Sequence, residues 1–259
     1  MKRRKIIKAI NIVLILIFVG SAFNVGKIYY DYKNADDTYQ QMQDEYIAVN
    51  TEPSLPERPA PEQSEAVKEP EPPITVDFDA LLNKNKDVIG WLYCPDTVIN
   101  YPVVQGKDNN QYLRRGLDGK YLVSGTLFAD YRNGALHEDA NYIIYGHNMK
   151  NGTMFHSLAN YKDPSYYKQH PILYYLTPDG NYKIELFAGL VIKRNDKIYL
   201  PNQSREDVFE LLTQYRASST FQSDAELAYE DTFITLSTCS YEFDDARYVV
   251  IGKLTKIPT

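Results

Sequence analysis

Cysteine, tryptophan and histidine are scarce in this 259-residue chain, at two, one and four residues. Two widely separated cysteines, Cys94 and Cys239, exclude the multi-bridge frameworks that hold small secreted folds together. A single Cys94–Cys239 bridge is the competing arrangement; it would lock up a residue whose surroundings look catalytic. No close set of histidine, cysteine and carboxylate at ligand spacing occurs, so neither a metal nor another cofactor is expected. There is no repeat of 20–50 residues. Acids are absent from the first 30 residues, which carry Lys2, Arg3, Arg4, Lys5, Lys8 and Lys27. Beyond them 22 bases face 34 acids, a balance of −12. A domain that acidic lacks the electrostatic footprint of a nucleic-acid binder, so no nucleic-acid partner is expected.

What is present begins with an almost wholly apolar run at 6–25. At about 1.5 Å per residue it covers about 30 Å, the thickness of a hydrocarbon core. The basic tail 1–5 predicts a cytoplasmic N-terminus, with everything after Lys27 outside the cell membrane and residues 6–25 in contact with lipid. The rival is a cleaved signal peptide, with Gly20-Ser21-Ala22 as its small-residue site. The run is longer than the usual signal core of about 7–15 residues, which favours the uncleaved single-pass anchor. Across 26–50, Tyr32, Ala35, Tyr39, Met42, Tyr46 and Val49 alternate at spacings of three and four, the pattern of a helical stalk or of a helix that packs back on the domain. Residues 51–73 interleave seven prolines with glutamates and read as a linker. If extended at about 3.1 Å per residue, it reaches about 70 Å and lifts the following domain clear of the lipid.

From residue 74 the composition changes. Phe78, Leu81 and Leu82 mark a short helix. Strands are predicted at 88–94, 98–104, 123–129, 141–145, 172–176, 183–192, 232–238 and 247–255, and helices at 109–115, 154–161 and 205–215. Eight strands with few helices predict a mainly β domain over 74–259, closed or nearly closed into a barrel. No second apolar span follows the last strand.

Three residues carry the chemistry. Cys239 ends the apolar strand Phe233-Ile234-Thr235-Leu236-Ser237-Thr238, and the polar residues after it mark an exposed turn. The bland alternative is a buried structural cysteine. His147 likewise follows a strand, Asn141-Tyr142-Ile143-Ile144-Tyr145, with Gly146 allowing a sharp turn; a lone histidine is ordinarily a surface or core residue. His137, His156 and His170 lack that setting. Arg247 opens the final strand, where a turn over 240–246 returns it beside the sulfur. Its alternative is a surface arginine paired with Asp244 or Asp245. Together the three supply a nucleophile, an acid/base and a fixed cationic fork for an oxyanion.

Thr235-Leu236-Ser237-Thr238-Cys239, with Arg247 leading an apolar strand, is similar to the sortase active-site signature, and 141–148 resembles the histidine segment of that family. Class B is indicated by Asp87-Val88-Ile89-Gly90-Trp91-Leu92, by Ile99-Asn100-Tyr101-Pro102-Val103-Val104-Gln105, by Tyr112-Leu113-Arg114-Arg115 and by the helix at 205–215. Cys94 and the variable loop between Cys239 and Arg247 depart from the family pattern. The resemblance implies an eight-stranded sortase barrel with short peripheral helices. It also implies a cysteine transpeptidase that attacks a C-terminal sorting signal of surface proteins, passes through a thioester, and transfers the acyl group to an amine. That amine belongs to a peptidoglycan cross-bridge or its lipid-linked precursor. Ser237, two residues before the nucleophile, Asn109 and Leu113, and Tyr199 and Leu200 are the implied substrate-groove residues. With reference pKa values near 8.5 and 6.5, about 3% of thiol and a quarter of imidazole are in the needed states at pH 7, so slow turnover is expected.

Three rivals remain. A papain-type extracellular cysteine protease places its cysteine before its histidine and at the start of a helix, the reverse of this order. A pilin-polymerising sortase commonly carries a second membrane span. A non-catalytic binding barrel predicts no reactive thiol.

Overall fold

The computed structural model describes residues 2–50, 71–136, 138–201 and 203–258. A single helix α1 (Lys2–Tyr46) begins the chain, long and apolar enough in its first part to cross a membrane. Its second part docks on the domain: Ala35, Tyr39, Met42 and Tyr46 are buried, as the three-and-four spacing predicts, whereas Val49 is exposed. At roughly 1.5–3 kcal/mol per fully buried large side chain, this face is enough to keep the helix docked. Polar ties run along the same face. Tyr39 donates to the Gly125 carbonyl, Gln43 Nε2 donates to the Asn100 carbonyl at 2.8 Å, and Asn151 Nδ2 donates to Asp36 at 3.0 Å.

After Tyr46 the backbone leaves the helix as β1 (Ile47–Val49), which pairs antiparallel with β2 (Ile74–Val76). Asn50 extends the ladder by donating to the Pro73 carbonyl at 2.9 Å. Most of the predicted proline-rich linker, 51–70, lies outside the described residues. Because its two flanks are hydrogen-bonded to each other, its length adds no height between helix and barrel.

The remaining strands are β3 (Val88–Tyr93), β4 (Asn100–Val104), β5 (Leu127–Ala129), β6 (Asn141–Tyr145), β7 (Ile172–Thr177), β8 (Gly180–Lys193), β9 (Thr232–Cys239) and β10 (Ala246–Lys256). They form a closed eight-stranded barrel in the order β10-β8-β7-β3-β4-β5-β6-β9. Among the described residues, only β4–β5 and β6–β9 pair in parallel. Trp91, Leu92, Val103, Leu127, Ile144 and Leu236 fill its core. Peripheral elements are α2 (Phe78–Lys84), a 3₁₀ segment Phe155–Lys162, α3 (Pro164–Gln169), a 3₁₀ turn Lys197–Tyr199 and α4 (Arg205–Ala217). Ser204 caps α4 by accepting from the Asp207 amide, with Glu206 and Asp207 in the first turn, where acids suit the helix dipole.

Two sequence expectations fail here for physical reasons. The strand predicted at 123–129 exists only from Leu127, because Gly125 takes φ +57° and any Cβ there meets the Tyr112 and Leu113 carbonyl oxygens at 2.4 and 2.5 Å. The helix predicted at 109–115 is a series of turns. Its carbonyls are engaged elsewhere: Tyr112 accepts from the Thr126 amide, Arg114 from the Leu122 amide and Arg115 from Thr126 Oγ1. Tertiary partners have displaced the local i to i+4 ladder. The segment predicted helical at 154–161 is 3₁₀.

Candidate active site

Two pairings bring the candidate residues together at one end of the barrel. In the antiparallel β9–β10 ladder, Cys239 lies directly opposite Arg247. In the parallel β6–β9 ladder, Tyr145 lies beside Ser237. Two residues further along, where side chains return to the same face, stand His147 and Cys239. Histidine, just past the end of β6, therefore meets the cysteine of β9 and the arginine of β10 at one rim. The β6 extension is held to β9 by Gly146 N donating to the Ser237 carbonyl at 3.1 Å and by Thr238 Oγ1 donating to the Gly146 carbonyl at 2.9 Å. Asn148 Nδ2 completes the tie by donating to the Cys239 carbonyl at 2.9 Å. Gly146 is needed for space rather than for a sharp turn, since a Cβ there meets Leu127 and Phe155 at 2.5 and 2.6 Å.

The three line a cleft of about 320 Å³ together with Asn109, Leu113, Tyr145, Tyr199 and Ser237. Cys239 is partly exposed and Cys94 is buried, and both thiols are free, so the single-bridge alternative is not formed. His147 Nε2 lies 2.7 Å from the Leu113 carbonyl. A carbonyl only accepts, so Nε2 carries the proton of that bond and Nδ1 is the nitrogen left to gain or release one. Burial lowers the imidazole pKa below its ordinary value; the Leu113 bond opposes that shift and nearby Arg114 adds to it. Arg247 Nη1 donates to the Ala246 carbonyl at 2.9 Å. Asp245, its suggested surface partner, lies instead 4.0 Å from Arg194. The turn between Cys239 and Arg247 is pinned by a Lys162–Glu242 ion pair and by Ser240 N donating to the Ala246 carbonyl at 3.0 Å.

The groove residues fall out unevenly. Ser237 is buried, and its Oγ lies 2.7 Å from the Tyr199 hydroxyl. Tyr199 stacks on Tyr145 at 6.0 Å between ring centroids, and burial pushes its phenol up to about 12 despite the Ser237 bond. Asn109 and Leu113 both reach the cleft, from turns rather than from one helical face, and Leu113 also holds the histidine through its backbone. Leu200 does not line this cleft; it is 56% exposed and borders a separate polar cavity. Among the other histidines, His156 Nδ1 lies 2.8 Å from Asn148 Oδ1, His170 caps α3, and His137 lies outside the described residues.

A buried carboxylate escaped the sequence reading. Asp130, 1% exposed, accepts from Arg132 Nε at 2.8 Å and Nη2 at 2.7 Å. It also accepts from Asn109 Nδ2 at 3.0 Å and from the Tyr145 hydroxyl at 2.9 Å. Burial alone would raise its pKa, but the bonds from Arg132, Asn109 and Tyr145 hold it down at about 2. Arg132 Nη2 reaches on to the Tyr199 carbonyl at 3.1 Å. One charge thus ties together the Asn109 turns, the end of β6 and the Tyr199 turn, three walls of the cleft. The signal available in sequence was Asp130-Tyr131-Arg132, an acid and a base of matching reach directly after an apolar strand.

Residues 92–255 match the sortase domain model. Sortase B of Listeria monocytogenes is 32% identical over 251 residues, 95% of this chain and 96% of that protein. Bacillus anthracis sortase B superposes with a TM-score of 0.71 at 31% identity, over 88% of this chain and 99% of that one. Staphylococcus aureus sortase B has been solved in a substrate complex (TM-score 0.65, 31% identity, 70% of this chain and 85% of that one). A sortase B solved with triglycine superposes with a TM-score of 0.65 at 32% identity, over 70% of this chain and 86% of that one. With the family model spanning more than half its length and the class B relatives matching nearly all of it, the chain belongs to the sortase family, in class B.

Proposed function

We propose that this sortase cleaves a C-terminal sorting signal of surface proteins at Cys239 and transfers the new acyl end to an amine of the cell wall. The observation that carries the reading is that His147, just past the end of β6, Cys239 at the end of β9 and Arg247 on β10 line one cleft. The Cys239 thiolate attacks the scissile carbonyl carbon, and Arg247 hydrogen-bonds to the oxyanion that forms. Protonated His147 gives its proton to the leaving amine as the C–N bond breaks, leaving a thioester on Cys239. An incoming amine then attacks that carbonyl, returns a proton to His147 and expels the thiolate. The sortase B structure bound to triglycine supports an unhindered primary amine as acceptor. Asn109, Leu113, Tyr199 and Ser237 line the same cleft as Cys239 and are assigned as walls of the signal groove. Residues 6–25 anchor the enzyme in the cell membrane with the catalytic domain outside.

Two measurements test this. Incubating the enzyme with a panel of sorting-signal peptides and triglycine should give amine-dependent cleavage and a peptide–triglycine product. Cleavage that ignores the amine would indicate a hydrolase instead. On intact cells, external protease should release a fragment beginning in 51–73 from a full-length membrane protein, whereas a mature N-terminus at Phe23 would identify a cleaved signal.

A further inference from the structure

The two ends of the barrel are tied to different levels of α1, and that fixes which end faces the membrane. Asp36, early in the docked part of the helix, accepts from Asn151. Asn151 belongs to the loop 148–153 that follows His147, and Asn148 in the same loop holds the Cys239 carbonyl. At the far end of α1, Asn50 and Pro72 share a cavity wall with Pro178, Gly180 and Ile257. These last residues sit at the β7–β8 turn and just past the end of β10, opposite Arg247 along the barrel. The helix is unbroken from the apolar run to Tyr46, so the order along it is an order in height.

Resting on the anchor reading above, we propose that α1 holds the catalytic end of the barrel facing the bilayer, with the headgroup surface as the partner of the 148–153 rim. From Val25 to Asp36 the helix rises about 16 Å. The headgroup zone occupies roughly 5–8 Å of that. Tyr29 and Tyr30, 70% and 68% exposed, fall within it, where aromatic residues anchor at the interface. Lys27 and Lys150 are exposed over the same interval, where Lys33 pairs with Asp37 at 3.4 Å. The cleft therefore opens onto a gap of about 10 Å above the lipid, too shallow for thick wall polymer. Small soluble peptides still enter such a gap, but among large partners it favours those held at the membrane. The opposite end of the barrel stands at least about 15 Å higher, the rise of α1 from Asp36 to Tyr46.

The test uses the full-length chain in phosphatidylglycerol vesicles containing a headgroup-labelled acceptor lipid. In a Cys239→Ala background, a donor dye is attached at Lys150→Cys or at Asp179→Cys. Energy transfer should be strong from position 150 and weak from 179; equal or reversed efficiencies would overturn the orientation. Protein that fails to float with the vesicles would instead overturn the anchor, and this proposal with it. A second variant keeps Cys239 and inserts eight Gly/Ser residues after Asp31, before the docked face. It should turn over a soluble signal peptide at the parent rate and a vesicle-tethered peptide on a short spacer several-fold more slowly. Unchanged turnover on the tethered peptide would also count against the fixed orientation.

Discussion

The two cysteines occupy comparable places, each where a barrel strand runs out, yet their surroundings are opposite. Cys94 follows β3, is fully buried, and has its sulfur 3.8 Å from the Tyr161 hydroxyl and 3.9 Å from the Ile172 carbonyl. Burial pushes that thiol up to about 11. Cys239 ends β9, partly open to a cleft, with Arg247 across one ladder and the His147 segment across the other. A strand end delivers a side chain to a rim, and the neighbouring strands decide whether the rim is reactive. Cys94 behaves as a small core residue.

The sharpest way to break this contrast is to remove each sulfur in turn. Cys239→Ala should abolish peptide cleavage, and Cys94→Ala should retain most of it with a lower Tm, both read by a peptide-cleavage assay and thermal melt. Comparable activity losses would sink the distinction. Next in size, Arg247→Lys keeps the charge but loses the planar fork, and turnover should fall by about 10²–10³, as for loss of an oxyanion donor. Its thiol should still react with a small electrophile, and near-normal turnover would return Arg247 to a surface role.

Asp130 sharpens the comparison, since its ion pair with Arg132 braces the Cys239 cleft while Cys94 rests on neutral packing. Asp130→Asn removes the charge that holds Arg132, and through it the Tyr199 turn, so the expected effect is on groove shape: KM raised about tenfold, equivalent to about 1.4 kcal/mol, with kcat changed far less. An equal fall in kcat would indicate general loosening. The smallest effect concerns pH. With the buried His147 pKa below 6.5, the fully protonated site, which holds no nucleophile, forms only at more acid pH. The acid limb of kcat/KM should therefore lie below pH 6.5, and a limb above it would contradict the burial seen here.

The barrel was legible because its long strands alternate or run apolar, and the cysteine, histidine and arginine were legible because each sits where such a run stops. What failed depended on partners distant in sequence. Residues 109–115 have helical spacing, but Thr126 and Leu122 claim their carbonyls. α3 was missed even though Asp163 and Pro164 form a cap and a first-turn proline; six residues, none fully buried, give no periodicity to read. Asp130 looked like any loop acid until the fold set Asn109 and Tyr145 against it. The tie from Asp36 to Asn151 has no local signature at all.

The strand that carries the nucleophile is also the one that closes the barrel. β9 joins β10, its neighbour in sequence, to β6, whose Tyr145 lies 92 positions before its partner Ser237. Such non-local parallel pairing forms late, after the loop-closure entropy between distant segments has been overcome. Until then the sulfur has an arginine across a hairpin but no histidine, a thiol without its acid. Activity is thus a reporter of completed folding, and in refolding experiments turnover should rise with the slowest structural phase and never ahead of it.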